Sequence, residues 1–279
     1  MKMKIAFSTL GSPSWSMHTA IEEAGRLGYD GIELRFIENS DRLWELPAFH
    51  GTGLKETCVR LASAGLAIPC VDTSCFFHYP EPEQRRKSIE LGKAYVELAA
   101  ALKAPGVRVF GDRVQPGAKM PATAAWIADG IHRLAEFAQP AGVEVWLETH
   151  GHFAPAEETM RILRAANCMN VGVIWDPGNA YSEFGEQLEA GWQVLEGAVR
   201  HVHVKDGVPV EGLPLSEPWS PTLVGRGMFP TQALITLLRA HRYDGFISFE
   251  WQKRWHPHIP EPEIALPHFI HWIRKAVEI

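Results

Sequence analysis

The sequence predicts a single (β/α)8 barrel over residues 1–279, on three observations. A short β-rich run followed by a helix-period stretch recurs about eight times. The length of 279 residues is close to the roughly 250 of one such barrel. No linker, low-complexity stretch or shift of composition interrupts the chain. The expected strands, in order, are Lys4–Ser8, Gly31–Arg35, Ala67–Asp72, Val107–Phe110, Val143–Glu148, Gly172–Asp176, His201–Lys205 and Phe246–Glu250. Each is a short apolar run, and Gly-containing turns precede several: Gly28-Tyr29-Asp30-Gly31, Ala64-Gly65 and Ala141-Gly142.

Helical spacing fills the intervals. Met17, Ala20, Ile21, Ala24 and Leu27 repeat as one face of a helix, and Ala233, Leu234, Leu237 and Leu238 form another, opened by Pro230. Alternating strands and helices imply a parallel sheet, and eight units imply closure. An open doubly wound sheet also alternates, but no GxGxxG follows the first strand. The connection Asp206–Phe229 is long and carries Pro209, Pro214, Pro218 and Pro221. A segment of this kind reads as a binding loop or lid, or as a plain surface insertion.

Composition excludes several classes. Hydrophobic residues make up 46% and charged residues 22%, a globular balance. A net charge of −6 argues against a nucleic-acid partner. No apolar run is long enough for a membrane span, and the start, MKMKIAFSTLGS, has too short an apolar run for a secretory leader. The four cysteines, Cys58, Cys70, Cys75 and Cys168, form no CxxC pair and read as reduced thiols of a cytoplasmic protein.

Barrel chemistry sits where strands end. Strand five, VEVWLE, ends at Glu148, and strand six, VGVIWD, ends at Asp176. Strand seven, HVHVKD, offers His203, and strand eight, FISFE, ends at Glu250. Residues two apart share a face, so Trp146, Ile174, His201 and Ser248 lie one layer deeper. Small Gly172 and Ser248 leave room for Trp146, whereas Glu144 near the barrel floor needs a partner or a bulge. Three carboxylates and one imidazole suit one divalent cation: Mn²⁺ best, with Mg²⁺, Co²⁺ and Zn²⁺ also fitting. His201 competes with His203 but sits deeper, where it orients or packs.

The segments GYDGIELR, LETHG, WDPGN, HVHVKD and GFISFEW, in this order, resemble the xylose isomerase-like, AP endonuclease family 2 type TIM barrel superfamily of sugar isomerases and epimerases. The resemblance covers nearly the whole chain. It implies that Glu148, Asp176, His203 and Glu250 bind one catalytic metal, and that Glu148 and Glu250 also serve as acid and base. Ketohexose 3-epimerases of the group carry an acid, a His and an Arg where this chain has Ala154, Asn179 and Pro209, which argues against a tagatose or psicose epimerase. Repair endonucleases of the group hold three zinc ions, and their extra His pattern is missing here. Hydroxypyruvate, inosose and dehydroshikimate chemistries stay open, and a homodimer is compatible with such barrels.

The expected activity is a metal-dependent isomerisation or epimerisation of a small sugar, sugar acid or inositol derivative through an enediolate. A dehydratase on the same scaffold and a non-catalytic carbohydrate-binding barrel are the alternatives. Around the four ligands, the candidate substrate contacts are Glu33, His78, His150, His152, Asn179, Lys205, Arg226, Lys253 and His256. Glu33 reads equally as half of an ion pair with Arg35, and Lys253, Arg254 and His256 as an anion-binding lip or a solvated face. Among ten tryptophans, Trp15, Trp175, Trp219, Trp251 and Trp255 fall near strand ends, where two or three would wall a sugar.

Overall fold

A computed structural model describes residues 3–211 and 219–278. Eight parallel strands alternate with helices. They are β1 (Lys4–Ser8), β2 (Gly31–Glu33), β3 (Val71–Phe76), β4 (Gly106–Phe110), β5 (Glu144–Glu148), β6 (Val171–Trp175), β7 (Val199–Val204) and, after two short strands, β10 (Phe246–Phe249). The two extra strands, β8 (Asp206–Pro209) and β9 (Trp219–Thr222), pair antiparallel. The helices are α1 (Met17–Leu27), α2 (Gly51–Ser63), α3 (Pro82–Leu102), α4 (Met120–Ala138), α5 (Ala156–Ala166), α6 (Pro177–Phe184), α7 (Leu188–Leu195), α8 (Thr231–Ala240) and α9 (Pro262–Glu278).

The chain groups into two compact units. The first comprises Met1–Pro69, Tyr181–Glu183 and His201–Ile279, and its strands run in the order β2-β1-β10-β7. The second comprises Cys70–Ala180 and Phe184–Arg200, with the order β6-β5-β4-β3. In the first, Ala6, Ser248 and His203 are in register across three strands. In the second, Phe110 faces Glu148, which faces Ile174.

Helix α1 starts where Ser16 accepts the Thr19 N–H and stops at Gly28, whose positive φ of 78° is open to glycine without cost. It buries Met17, Ala20, Ile21 and Ala24, as the spacing predicts. Helix α8 turns a different face inward: Thr231, Leu234, Ile235 and Leu238 are buried, while Ala233 is exposed. In the second unit Trp146 lies across Gly106 and Gly172, where a Cβ would come within 2.4 Å and 3.1 Å of its ring. Glu144 finds partners, accepting from Trp146 Nε1 at 2.7 Å and Arg200 Nε at 3.0 Å.

Three expectations need correction. Strand β3 begins at Val71, not Ala67, because Pro69 has no N–H to give a ladder; Ala67 makes only an isolated bridge to Gly31. Strand β2 stops at Glu33, because the N–H groups of Arg35 and Phe36 turn to Thr9 Oγ1 at 2.8 Å and 3.2 Å. The connection after β7 contains the β8–β9 ribbon, so it is not a structureless loop; Pro214 and Pro218 lie outside the described residues. Asp206 anchors that connection by accepting the N–H groups of Gly207, Gly225, Gly227 and Phe229 at 2.8–3.1 Å. No described helix is long and apolar enough to cross a membrane.

Candidate functional site

The first unit gathers its chemistry at the C-terminal ends of β2, β7 and β10. Glu33 is fully buried and faces two imidazoles. Its Oε1 accepts from His203 Nε2 at 2.8 Å and its Oε2 from His201 Nε2 at 2.7 Å. Burial alone would push this carboxyl up, but the charges of His203 and His201 and their hydrogen bonds reverse that and hold it well below the usual carboxylate range. Glu33, His201 and His203 offer ligand-type atoms within 4.8 Å of one another, a buried cluster of a kind that can hold a metal. The other ring nitrogen of His203, Nδ1, lies 3.7 Å from Glu250 Oε1. Glu250 follows the last residue of β10, its N–H still bonded to Val204 O at 3.0 Å. Lys205 Nζ donates to Glu250 Oε2 at 3.1 Å, and that lysine side chain is 17% exposed.

The second unit gathers its own set at the ends of β3 to β6. Arg108, 2% exposed, donates from Nη1 to Glu148 Oε2 at 2.9 Å and lies 3.5 Å from Asp72 Oδ2. Its guanidinium stacks 4.1 Å above the Phe110 ring. Asp176, buried just beyond β6, is fixed by its N–H on Thr149 Oγ1 at 2.8 Å. Thr149 Oγ1 in turn bonds Asp176 O at 3.1 Å. Past β4, Asp112 holds a positive φ of 54°, unusual for a residue with a Cβ. Its carboxylate meets His150 Nδ1 at 3.2 Å and His78 Nδ1 at 3.7 Å. Burial raises the Asp112 carboxyl, but the His150 hydrogen bond and the charges of His150, His78 and Arg113 outweigh it, so the net shift is down. Burial also lowers the His78 imidazole, against the pull of Asp112 and the Gly111 carbonyl.

The other sequence candidates fall into distinct places. Glu33 accepts from one imidazole on each of its oxygens. Asn179 Nδ2 donates to Thr149 O at 2.9 Å, and its N–H to Asp176 Oδ1 at 3.3 Å, a local tie within the second unit. His152 is exposed and accepts the Val114 N–H at 3.0 Å. Arg226 is exposed in a turn closed on Leu223 O. Lys253 is no lip: its Nζ donates to Pro257 O, Ile259 O and Glu261 Oε1, each at 2.7 Å, which occupies its three donors. His256 is half-buried beside His258. Trp175 and Trp251 are buried; Trp15 and Trp219 are half-buried, and Trp255 is 54% exposed.

Sequence reasoning missed Arg108, Asp72 and Asp112. A signal was present for the first two, since GVRVF and VDTSCF each place a charge inside a buried strand. Such charges are almost never buried without a partner.

The chain matches the family model described as "Xylose isomerase-like TIM barrel" over residues 21–276. No curated protein matches it in sequence. Among solved structures, it is similar to the apo form of 3-keto-D-glucoside 4-epimerase, YcjR, from E. coli, at 18% identity and a TM-score of 0.77, over 98% of this chain and 100% of that one. It is also similar to the IolI protein solved with a zinc atom, at 19% identity and a TM-score of 0.81, over 99% and 98% of the two chains. A third is the probable 3-DHS dehydratase AsbF from Bacillus anthracis, at 18% identity and a TM-score of 0.77, over 98% and 99%. At these identities the structures share a fold. The family match over most of the length, together with eight parallel strands that alternate with helices, shows that the chain belongs to the xylose isomerase-like TIM barrel family.

Proposed function

We propose that the chain, read as one barrel domain, is a divalent-metal-dependent isomerase or epimerase of a small sugar, sugar acid or inositol derivative. Glu148, Asp176, His203 and Glu250 would hold the ion; all four are buried and each belongs to the end of its own strand. The observation that carries the reading is the bond from His203 Nε2 to the buried Glu33 at 2.8 Å. Metal-binding histidines almost always give their other ring N–H to such an acceptor, which fixes the tautomer and raises ligand basicity. The donor set suits Mn²⁺ first and Zn²⁺ as well, and the IolI relative was solved with zinc. When bound, such an ion polarises a substrate carbonyl and makes the neighbouring C–H acidic.

The chain's own residues would do the rest. Glu148 takes the proton from carbon, its charge held by the permanently cationic Arg108. Glu250 returns a proton to the intermediate, with Lys205 at hand to balance its charge. His78 and His150, which both meet Asp112, would hold hydroxyls. Four free thiols suit the cytoplasm. Proton transfer by a positioned carboxylate contributes roughly 10²–10⁴-fold. Glu148→Gln is therefore expected to cut turnover at least about 100-fold while the protein stays folded, read in a screen of keto-sugars, keto-acids and inososes under Mn²⁺ beside elemental analysis for one metal equivalent. Near-full activity of that variant on the true substrate would sink the acid–base role.

One observation favours a second reading. His150, two residues past Glu148 and oriented by Asp112 at 3.2 Å, could protonate a leaving hydroxyl, which would make the enzyme a dehydratase. Measuring water loss against interconversion separates the two.

A further inference from the structure

We propose that Arg254, Trp255 and Asn39 form a recognition patch for an anionic group, carboxylate or phosphate, carried by the distal end of the carbohydrate substrate. The three sit on loops that leave the C-terminal ends of β2 and β10, the strands on either side of β1. Those are the ends that bear Glu33 and Glu250. The patch rests on the carbohydrate reading above and extends it to the kind of sugar.

The first argument is charge. The exposed arginines Arg26, Arg42, Arg86, Arg133 and Arg161 each pair with a carboxylate three or four residues away. Arg254 does not, and neither do the exposed Arg164, Arg226, Arg239 and Arg242, but of these Arg254 is the one that lies over aromatic rings among the described residues. Among the described residues its guanidinium meets only neutral groups: Asn39 Oδ1 at 3.4 Å, the Phe36 ring at 5.1 Å and the Trp255 ring at 6.0 Å. Glu38, exposed in the same loop as Asn39, forms no ion pair with it, and neighbouring Lys253 is occupied by carbonyls and Glu261. A guanidinium has five N–H donors in a fixed fork that matches carboxylate and phosphate. One long hydrogen bond leaves most of that fork to solvent.

The second argument is rigidity. Phe36, 5% exposed, meets Trp255 edge to face at 5.7 Å and 84°. Trp255 keeps 54% of its surface in water, a broad apolar plate on a buried support. The Asn39 loop is built and held: Glu38 and Asn39 both have positive φ, 52° and 63°, and their N–H groups bond Trp15 O at 3.0 Å and Pro13 O at 2.7 Å. Two such residues in succession cost stability that the surroundings must supply, a pattern common at ligand clamps. The Arg254 backbone is tied to Leu10 O at 3.3 Å. A fixed cation beside a fixed apolar plate fits an anion on a sugar whose apolar face lies on the indole.

Calorimetric titration of the whole protein with D-glucose, D-glucuronate and D-glucose 6-phosphate tests this. Wild type is expected to bind at least one of the two anions about tenfold more tightly than glucose, and the pair tells carboxylate from phosphate. Arg254→Gln should bring all three to parity, Arg254→Lys should keep part of the preference, and Trp255→Ala should weaken all three together. Equal binding of the three by wild type, or a preference untouched by Arg254→Gln, overturns the proposal. Metal-dependent turnover of neutral sugars without anion preference would remove the patch and leave the reaction. Anion preference lost in Arg254→Gln, with no metal-dependent turnover of any sugar, would remove the reaction and leave the patch.

Discussion

The two units hold their strand-end carboxylates in different ways. In the second unit Glu148 lies against Arg108, with Asp72 sharing the same guanidinium, and all three are at most 2% exposed. In the first unit Glu250 lies against Lys205, which is 17% exposed, while the deeper Glu33 serves the imidazoles. An arginine does not deprotonate in a protein, and its flat fork holds a carboxylate in one geometry. A lysine is a flexible point charge that can exchange its proton. The difference assigns temperaments to the two carboxylates. Glu148 is held by a flat, buried fork in one geometry, and Glu250 by a flexible, partly exposed ammonium, a contrast that fits the proposed roles of base and proton donor.

The sharpest way to break this contrast is to remove each cation. Arg108→Met takes the cation away from two buried carboxylates, and breaking a buried pair in this way costs about 3–5 kcal/mol. Lys205→Met removes a partly exposed partner, and about 1 kcal/mol is the expected loss. Denaturant unfolding of the two variants reads both values. Equal costs would show that the arginine and the lysine do the same job.

Glu33 sharpens the first unit's side of the comparison. Glu33→Gln keeps the size but offers one acceptor oxygen to two imidazole N–H groups. Loss of an outer partner of a ligating histidine typically costs 10–100-fold in metal affinity. That drop, read by titration with Mn²⁺ and Zn²⁺, is the expected outcome, beside a stability loss of about 1–3 kcal/mol for the buried N–H left without its acceptor. Unchanged affinity would mean that His203 takes its orientation from elsewhere or binds no metal.

How far the sequence reveals all this depends on the range of each interaction. Strand ends are local features, and period-two alternation sets the faces, so Glu148, Asp176, His203 and Glu250 stand out in the bare chain. Trp146 over Gly172 is legible for the same reason, since residues on adjacent strands share a layer. The Arg108 partners are not local: Glu148 is 40 residues away and Asp72 is 36. No periodicity links them, although a charge inside GVRVF asks for a partner. Glu33 is visible as a strand-end carboxylate, but not its direction, because its imidazoles lie 168 and 170 residues on. Lys253 misleads for the opposite reason. Its charge suggests a ligand, whereas the turn that follows folds two carbonyls back onto it.

A third carboxylate supplies the control for the comparison. Glu186, in the second unit, has no cation among the described residues and accepts one N–H, from Ala156, at 3.0 Å. Burial raises its carboxyl above the usual value, against the Ala156 N–H and with help from Glu157. A carboxyl raised in the folded state favours folding below its unfolded pKa and loses that contribution as pH rises through the folded value. At neutral pH the ionised Glu186 is therefore a small burden. Glu186→Gln, which keeps an acceptor for Ala156, should raise the melting temperature by about 1 °C at pH 7 and change nothing at acid pH, where wild type is already protonated. A gain of the same size at both pH values would trace to packing, and a loss at pH 7 would mean that the charge itself stabilises the fold.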